Sequence, residues 1–235
     1  MAARWRGEGA QHQGARPYQE DSWALRTLAD GTVLAVLADG MGGHVGGATA
    51  SRLAVGGFVM AIENGRDLAE ALETANQAIG TAVSRDSKLE SMGATLVGVV
   101  VSATEARWIS VGDSPLFLVS NGGIERLNAD HSMVPQIEAL VARGIITADE
   151  AAQHPGRHTL REAVMGHPLT LIDEGRRPLA RGDRLLVCSD GILTLDQADL
   201  VREVNEPVQR LIDAVLAVGE PRQDNVTIIK LEQEV

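Results

Sequence analysis

Residues 33–44 read VLAVLADGMGGH, an apolar run followed by an acid and a glycine-rich segment. The apolar run 33–38 predicts a buried core strand. Asp39 stands where that strand ends, and a glycine-rich turn begins at Gly40. Glycine beside a carboxylate lets the backbone approach a ligand closely, because no side chain intervenes. The stretch therefore predicts a carboxylate at one rim of a core sheet, next to a turn that leaves room for a metal ion.

A strand followed or preceded by an acid recurs along the chain. Asp113 ends the stretch ISVGD, Asp190 follows the apolar part of LLVCSDG, and Asp224 precedes VTII. If these strand ends converge with Asp39 on one rim, the site offers several carboxylate oxygens. Oxygen ligands suit hard cations such as Mg²⁺ and Mn²⁺. The pattern therefore makes a shared metal site one interpretation of these acids.

Ordinary turns are the other interpretation, because Asp-Gly by itself is more often a turn than a ligand. We expect Asp30 and Gly31 to form such a turn, since they separate strands predicted over 22–28 and 32–38. Spacing alone leaves both interpretations open for the remaining acids.

The composition favours one folded domain. Hydrophobic residues make up 44% of the chain, which is enough for a substantial core. The net charge of −11 disfavours nucleic acid or an anionic membrane as the main partner. One cysteine excludes an internal disulfide, and no signal peptide or membrane-spanning stretch is predicted. We expect a cytoplasmic monomer with a single domain over 1–235 and a flap subregion at about 132–166.

Periodicity predicts clusters of strands and helices rather than strict alternation. Strands are expected over 2–12, 22–28, 32–38, 95–101, 107–111, 116–119, 124–127, 169–177, 184–188 and 226–231. Helices are expected over 46–62, after an N-cap at Asp67, over 134–142 and 148–153, and over 207–218. This order favours an α+β fold built as an antiparallel sandwich.

Familiar motifs fail at a residue that they require. A P-loop would need lysine where Ala48 stands, and a dinucleotide-binding loop would need glycine at Val45. A cysteine-phosphatase loop at Cys188 would need arginine where Thr194 stands. His154 and the histidine four residues later are separated by Pro-Gly, which argues against a helical zinc pair. We therefore expect a buried thiol and no covalent nucleophile.

Taken in order, the motifs resemble the protein phosphatase 2C-like (PPM) family of metal-dependent serine/threonine phosphatases, in its compact bacterial form. The resemblance rests on residues 16–21 (RPYQED), 39–44 (DGMGGH), 92–95 (MGAT), 111–114 (VGDS), 128–132 (NADHS), 189–191 (SDG) and 224–227 (DNVT). Each motif is modest, but the ordered set spans nearly the whole chain and is highly specific. The resemblance implies an α-β-β-α sandwich of two mainly antiparallel sheets flanked by helices, with a binuclear metal centre at one end.

The resemblance also implies the metal ligands. Asp39 would bridge two Mn²⁺ or Mg²⁺ ions. Asp190 and Asp224 would complete one ion, and the Gly40 carbonyl would help bind the other. Asp21 would act mostly through bound water.

Further roles follow from the same resemblance. Asp113 would help hold an optional third ion, Arg16 would bind substrate phosphate, and His44 matches a histidine proposed to assist proton transfer. Pro115 departs from the family pattern, because bacterial relatives commonly carry arginine there. His158 stands where asparagine is common. The first departure removes a charge next to Asp113 and puts the third ion in question.

The implied function is hydrolysis of phosphoserine and phosphothreonine in proteins by a metal-activated water, opposing a bacterial serine/threonine kinase of the eukaryotic-like type. One alternative is a catalytically weak binding module with the same fold. Another is a hydrolase of a different small phosphoester, such as a nucleotide. The six aromatic residues offer little for base stacking, which argues against a nucleotide.

Overall fold

The structure is a computed structural model that describes residues 4–43 and 45–234. Its strands are β1 Trp5–His12, β2 Asp21–Thr27, β3 Val33–Met41, β4 Gly93–Ala94, β5 Leu96–Val101, β6 Glu105–Val111, β7 Leu116–Ser120, β8 Gly123–Arg126, β9 Asp173–Pro178, β10 Arg184–Cys188 and β11 Val226–Gln233. One sheet has the order β1-β11-β10-β7-β8. The other has the order β2-β3-β5-β6-β9, with β4 paired to β3. All neighbouring strands in the described residues pair antiparallel.

Helices cover both outer faces of this sandwich. The α-helices of the described residues are α1 Val45–Glu63, α2 Leu68–Arg85, α3 Val134–Ala142, α4 Ala148–Ala152, α5 Gln197–Glu203 and α6 Val208–Ala217. The first two pack on the six-stranded sheet, and the last two pack on the five-stranded sheet. None of them, within the described ranges, is long and apolar enough to cross a membrane.

The unbroken apolar run in β3 follows from its place between two cores. Val33, Ala35 and Leu37 belong to the core between the sheets. Leu34 and Val36 belong to the core under α1 and α2. A third core lies between the five-stranded sheet and α5 and α6. The predicted α+β class, with two antiparallel sheets flanked by helices, is therefore confirmed.

Local sequence signals correctly predicted the start of α2 and the turn before β3. Asp67 Oδ1 accepts a hydrogen bond from the Glu70 amide at 2.9 Å, and Glu70 Oε2 accepts one from the Asp67 amide at 3.2 Å. These reciprocal bonds form the predicted capping box. Gly31 has φ of +83°, and Asp30 Oδ1 accepts from the Thr32 amide at 2.9 Å. Asp30 and Gly31 therefore form the expected turn.

Two predictions of secondary structure were wrong. The strand predicted over 169–177 begins only at Asp173. The amides of Thr170 and Leu171 donate to the Glu162 carboxylate at 2.8 and 3.2 Å, so they do not enter a sheet ladder. Helix α5 was missed because its seven residues are too few for a clear apolar period.

Segment 132–166 runs beside the rim where the strands carrying the acids end, and it contains α3 and α4. Its first end is pinned by a short antiparallel contact. The Met133 amide donates to the Thr159 carbonyl at 2.9 Å, and the Arg161 amide donates to the His131 carbonyl at 2.7 Å. These two hydrogen bonds therefore join the start of the segment to residues near its end.

The second end of this segment is tied to β4 and α2. Val164 and Ala94 exchange two backbone hydrogen bonds of 2.8 and 3.0 Å. The buried Asn76 side chain accepts from the Gly166 amide at 2.8 Å and donates to the His167 carbonyl at 2.7 Å. Because β4 also pairs with β3 at Gly40, the segment and the glycine-rich turn share one ladder.

Candidate metal centre

The antiparallel pairing of β2 and β3 brings two carboxylates together. Asp21, the first residue of β2, is the register partner of Asp39 in β3. The Asp39 amide donates to Thr95 Oγ1 at 3.0 Å, and the Thr95 amide donates to the Asp39 carbonyl at 2.9 Å. Strand pairing and these two bonds fix the backbone of Asp39 at the rim.

The Asp21 carboxylate links the two sheets. Its Oδ2 accepts from Ser189 Oγ at 2.8 Å and from Thr227 Oγ1 at 2.7 Å. Its Oδ1 is buried and has no hydrogen-bond partner among residues 4–43 and 45–234. A buried polar atom left unpaired costs free energy, so Asp21 is suited to a ligand that the chain does not supply.

Asp190 and Asp224 reach the same rim from the five-stranded sheet. β10 and β11 are antiparallel neighbours, so the residue after β10 lies near the residue before β11. Gly191 is needed here, because a Cβ atom would lie 2.1 Å from the Asn225 carbonyl oxygen. Asp190 Oδ1 is a second buried carboxylate oxygen without a hydrogen-bond partner in the described part of the chain.

We call Asp21, Asp39, Asp190 and Asp224 the central cluster. Burial and neighbouring carboxylates raise the pKa of Asp190 to about 7. Burial raises the pKa of Asp21 to about 6, although its two hydroxyl donors oppose the shift. Burial and the charges of the other acids raise the pKa of Asp39 well above its ordinary value. The ionised forms therefore lack sufficient positive charge nearby.

Arg16 contacts the central cluster directly. Its Nη2 donates to Asp224 Oδ2 at 2.5 Å, and this bond raises the pKa of the guanidinium. Asn225 holds the preceding loop in place by donating to the carbonyls of Gln13 and Tyr18 at 2.7 and 3.0 Å. The structure thus places Arg16 at the rim of the cluster, paired with one of its acids.

The glycine-rich turn packs tightly against α1. A Cβ atom on Gly40 would lie 2.2 Å from the Gly47 carbonyl oxygen. Gly42 has φ of +115°, a region that side chains other than glycine rarely adopt. Both glycines are therefore required by the backbone path. His44, predicted to assist proton transfer, lies outside the described residues.

Asp113 occupies a separate corner of the rim, between β6 and β7. Its charge raises the pKa values of Asp39 and Asp190, which places it beside the central cluster. Arg126 Nη2 donates to the Asp113 carbonyl at 2.8 Å, and Arg126 Nη1 donates to Asp130 Oδ2 at 3.2 Å. Burial and the Asp130 charge raise the pKa of Asp113, whereas Arg126 opposes them. We call Asp113, Arg126 and Asp130 the Asp113 corner.

The donor set of the central cluster fits divalent cations. No three carboxylate, imidazole or thiol groups in the described residues already form a closed metal-binding arrangement. The unpaired oxygens of Asp21 and Asp190 nevertheless provide buried oxygen donors, and a cation would offset the repulsion that raises their pKa values. All-oxygen donors favour Mg²⁺ or Mn²⁺ over soft metals.

Cys188 and His154 take no part in this cluster. Cys188 is fully buried in β10, and burial raises the pKa of its thiol. A buried neutral thiol is a poor nucleophile, so the predicted structural role is confirmed. His154 lies in a turn and accepts from the Gly156 amide at 3.1 Å, so it does not form a helical pair with His158.

Sequence reasoning missed the hydrogen-bond partners that hold the acids and the loop of Arg16. Ser189 and Thr227 hold Asp21, Thr95 holds Asp39, and Asn225 holds the loop of Arg16. All four residues lie inside motifs singled out for their acids or their order. Their position inside those motifs was the available signal, but it does not specify which residue each of them contacts.

The comparisons with known proteins agree along nearly the whole chain. The family described as Protein phosphatase 2C matches residues 7–230. Serine/threonine protein phosphatase PstP of Mycobacterium tuberculosis is 35% identical over 214 residues, which cover 85% of this chain and 40% of that protein. Serine/threonine phosphatase stp of Listeria welshimeri is 27% identical over 237 residues, covering 94% of this chain and 92% of that protein.

A solved structure shares the fold. The crystal structure of the catalytic domain of PstP in complex with two manganese ions matches with a TM-score of 0.82 and 28% identity. The match covers 99% of this chain and 100% of that chain. The present chain therefore spans about 40% of the length of full PstP. The chain belongs to the protein phosphatase 2C family.

Proposed function

We propose that this chain is a metal-dependent protein phosphatase that hydrolyses phosphoserine and phosphothreonine. The observation that carries the proposal is the central cluster, in which four acids from both sheets meet and burial together with neighbouring carboxylates raises the pKa values of Asp21, Asp39 and Asp190. Membership of the protein phosphatase 2C family and the similarity to serine/threonine phosphatases of Mycobacterium tuberculosis and Listeria welshimeri support the same reaction.

The family resemblance implies which residues would hold the metal ions. Asp39 would bridge two ions, Asp190 and Asp224 would complete one, and the Gly40 carbonyl would bind the other, with Asp21 acting through water. The bound Mn²⁺ or Mg²⁺ ions would activate a water molecule and offset negative charge on the phosphoryl group. Manganese in the structure of the PstP catalytic domain supports this choice of metal.

Arg16 would hold the substrate phosphate. Its guanidinium can bind a phosphate through two parallel hydrogen bonds, and it already lies at the rim of the cluster. Its bond to Asp224 engages one of the five N–H donors that a phosphate could use. Coordination of a metal by Asp224 would release Arg16, so metal binding and phosphate binding would favour each other.

Water is the nucleophile in this proposal. Cys188 is buried and its pKa is raised, so it is not available for attack on phosphorus. Asp39 and Asp190 would act as ligands rather than as covalent nucleophiles. His44 would assist proton transfer, as the family resemblance implies.

Substrate recognition would fall to the surface around the cluster. A phosphoprotein substrate requires a kinase that placed the phosphate, and we propose a serine/threonine kinase as the opposing enzyme. Segment 132–166 would act as the flap that contacts the substrate, because both of its ends are anchored beside the rim. The single-domain organisation, monomeric state and cytoplasmic location stay predictions.

The proposal is tested by phosphate release from a phosphothreonine peptide. Wild-type protein is assayed with Mn²⁺ and with EDTA, and Asp190→Asn is assayed with Mn²⁺. Asp30→Asn is the matched control, because it changes an aspartate of an Asp-Gly turn away from the cluster. We expect activity that requires metal, survives in D30N and collapses in D190N.

Two outcomes would overturn the proposal. Activity that persists in EDTA would exclude a metal-dependent mechanism. A folded wild-type protein that is inactive with Mn²⁺ and Mg²⁺ would instead favour a binding module. A nucleotide assayed in parallel checks the alternative substrate class. Faster phosphate release from the nucleotide than from the peptide would favour a hydrolase of small phosphoesters.

A further inference from the structure

The turn that carries Asp113 is held by side chains from the next hairpin. Gly112 has φ of +99°, and a Cβ atom there would lie 2.6 Å from Thr95 Cγ2. The His131 amide donates to the Gly112 carbonyl at 3.1 Å. The backbone before Asp113 is therefore fixed, and the position of Asp113 depends on what holds the rest of the turn.

Asn128 holds the second half of this turn. Its Nδ2 donates to the Ser114 carbonyl at 2.9 Å and to Ser110 Oγ at 3.1 Å. Its Oδ1 accepts from the Leu116 amide at 2.8 Å. Asn128 is buried, so these bonds span the turn from strand to strand without competition from water.

Arg126 adds further hydrogen bonds to this turn, including one to Asp113 itself. The half-buried guanidinium donates to the Asp113 carbonyl at 2.8 Å, to Asp130 Oδ2 at 3.2 Å and to Asn128 Oδ1 at 3.4 Å. One planar group thus binds three acceptors, which a lysine ammonium does not match in geometry. Arg126 brings a positive charge into contact with the Asp113 backbone.

The contact between Arg126 and the Asp113 carbonyl bears on Pro115, where the sequence departs from the family pattern. Proline lacks both the charge and the backbone N–H that another residue would offer at this position. The guanidinium of Arg126 instead reaches the turn from β8, the opposite strand of the hairpin that begins with β7. The cation beside Asp113 therefore comes from a different part of the sequence.

We propose that Arg126 is a positioning residue that holds Asp113 in place to bind a third, weaker divalent cation. The proposal rests on the proposed function, because that ion would join a metal centre already formed by the central cluster. Arg126 acts through Asp113 and Asp130 and does not touch the substrate. Its removal would free the Asp113 carbonyl and leave Asp130 without its ion pair.

The test is a Mn²⁺ titration of the full chain after its metal is removed with EDTA, monitored by calorimetry and by electron paramagnetic resonance of free Mn²⁺. Wild type, Arg126→Gln and Asp113→Asn are compared, with Arg177→Gln as the control. Arg177 pairs with Glu125 at the exposed edge of the sandwich, so R177Q removes an arginine from a neighbouring ion pair without touching the turn. Thermal unfolding of each variant accompanies the titration.

We expect two tight ions and one weak ion in wild type and R177Q. R126Q should lower the affinity for the weakly bound ion about tenfold or more, because residues that support a metal ligand typically contribute that much to affinity. The tight ions should be unchanged in R126Q, and D113N should abolish the weak ion. A merely structural role would lower the unfolding temperature without separating the weak ion from the tight ones.

Several results would overturn this inference. They are a weak ion unchanged in R126Q, a weak ion that survives in D113N, or a wild type that binds two ions only. None of these results contradicts the proposed function. The proposed function is contradicted if the protein lacks the two tightly bound ions or metal-dependent phosphate release. The two failures are therefore distinguishable in the same samples.

Discussion

The central cluster and the Asp113 corner lie on one rim but differ in how their charges are balanced. In the central cluster, Asp21 and Asp190 each keep a buried oxygen without a hydrogen-bond partner in the described ranges. In the corner, Arg126 lies between the Asp113 carbonyl and the Asp130 carboxylate. The chain therefore leaves the first site short of positive charge and supplies it within the second.

This difference predicts a difference in affinity for cations. Where acids repel one another in a buried site, a divalent ion relieves that repulsion and gains free energy by doing so. Where an arginine already offsets the charge, the same ion gains less. We therefore expect tight binding at the central cluster and weak binding at Asp113.

Replacing one acid in each region should have the largest effect and the clearest contrast. Asp39→Asn removes the proposed bridge, and we expect kcat to fall at least about 100-fold. Asp113→Asn should lower kcat at most about tenfold at saturating Mn²⁺. Steady-state kinetics with a phosphothreonine peptide measure both. Equal losses in the two variants would contradict the distinction.

Arg16→Ala tests the cation that the central cluster does possess. Loss of the phosphate contact should lower kcat/KM by about 100-fold. Loss of the 2.5 Å bond to Asp224 should leave that acid free for metal, so the affinity for Mn²⁺ should hold or rise. Kinetics and calorimetry on the same preparation check both effects. Weaker Mn²⁺ binding in R16A would show that Arg16 supports the metal site instead of competing with it.

Thr227→Val tests the hydroxyl donors that orient Asp21. The variant loses the 2.7 Å bond to Asp21 Oδ2, and we expect the affinity of the tight Mn²⁺ ions to fall about tenfold. Thr227→Ser is the matched control, because it retains the hydroxyl. Calorimetric titration of both variants measures the effect. If T227S loses as much affinity as T227V, packing of the methyl group and not the hydrogen bond is responsible.

The pH dependence of stability tests the same comparison in the absence of metal. The pKa of Asp190 is about 7 in the folded chain against an ordinary 3.8, so the folded state holds the extra proton between these values. Stability from this group is therefore present at low pH and is lost as pH rises toward 7. In EDTA, the unfolding free energy of wild type relative to Asp190→Asn should fall over this window, by about 1.4 kcal/mol for each unit by which folding raises the pKa of Asp190.

Denaturant unfolding at several pH values measures that difference, and comparison with D190N cancels the titration of distant groups. A difference that stays flat with pH would mean that Asp190 ionises freely in the folded chain. A parallel series for Asp113→Asn should show a smaller slope, because Arg126 opposes the shift at Asp113.

Sequence patterns predicted the acids because each stands at the end of an apolar strand. Ends of successive antiparallel strands lie at opposite rims, so spacing alone made a shared site of Asp39 and Asp190 one of two interpretations, and the family resemblance favoured it. The partners of these acids could not be found that way. Asp21 and Thr227 are 206 residues apart, and no periodicity connects a hydroxyl in one sheet with a carboxylate in the other.

The same limit explains the errors in secondary structure. The apolar pattern near Thr170 resembles a strand, but the Glu162 carboxylate takes the amides that a strand would use. Arg126 likewise looks like an ordinary surface arginine in sequence. Its contact with the Asp113 carbonyl depends on the β7–β8 hairpin, whose turn sets which residues face each other.

The anchoring of segment 132–166 at both ends has a consequence for protein engineering. The Ala94–Val164 ladder and the Met133–Thr159 contact hold its base, so the intervening loop can change in length and composition while Gly40 keeps its place. The stretch between the two anchors can therefore be replaced experimentally without touching the acids. Under the proposed function, a chimera that carries a foreign loop between the same anchors should keep metal-dependent phosphate release and change its preference among substrates.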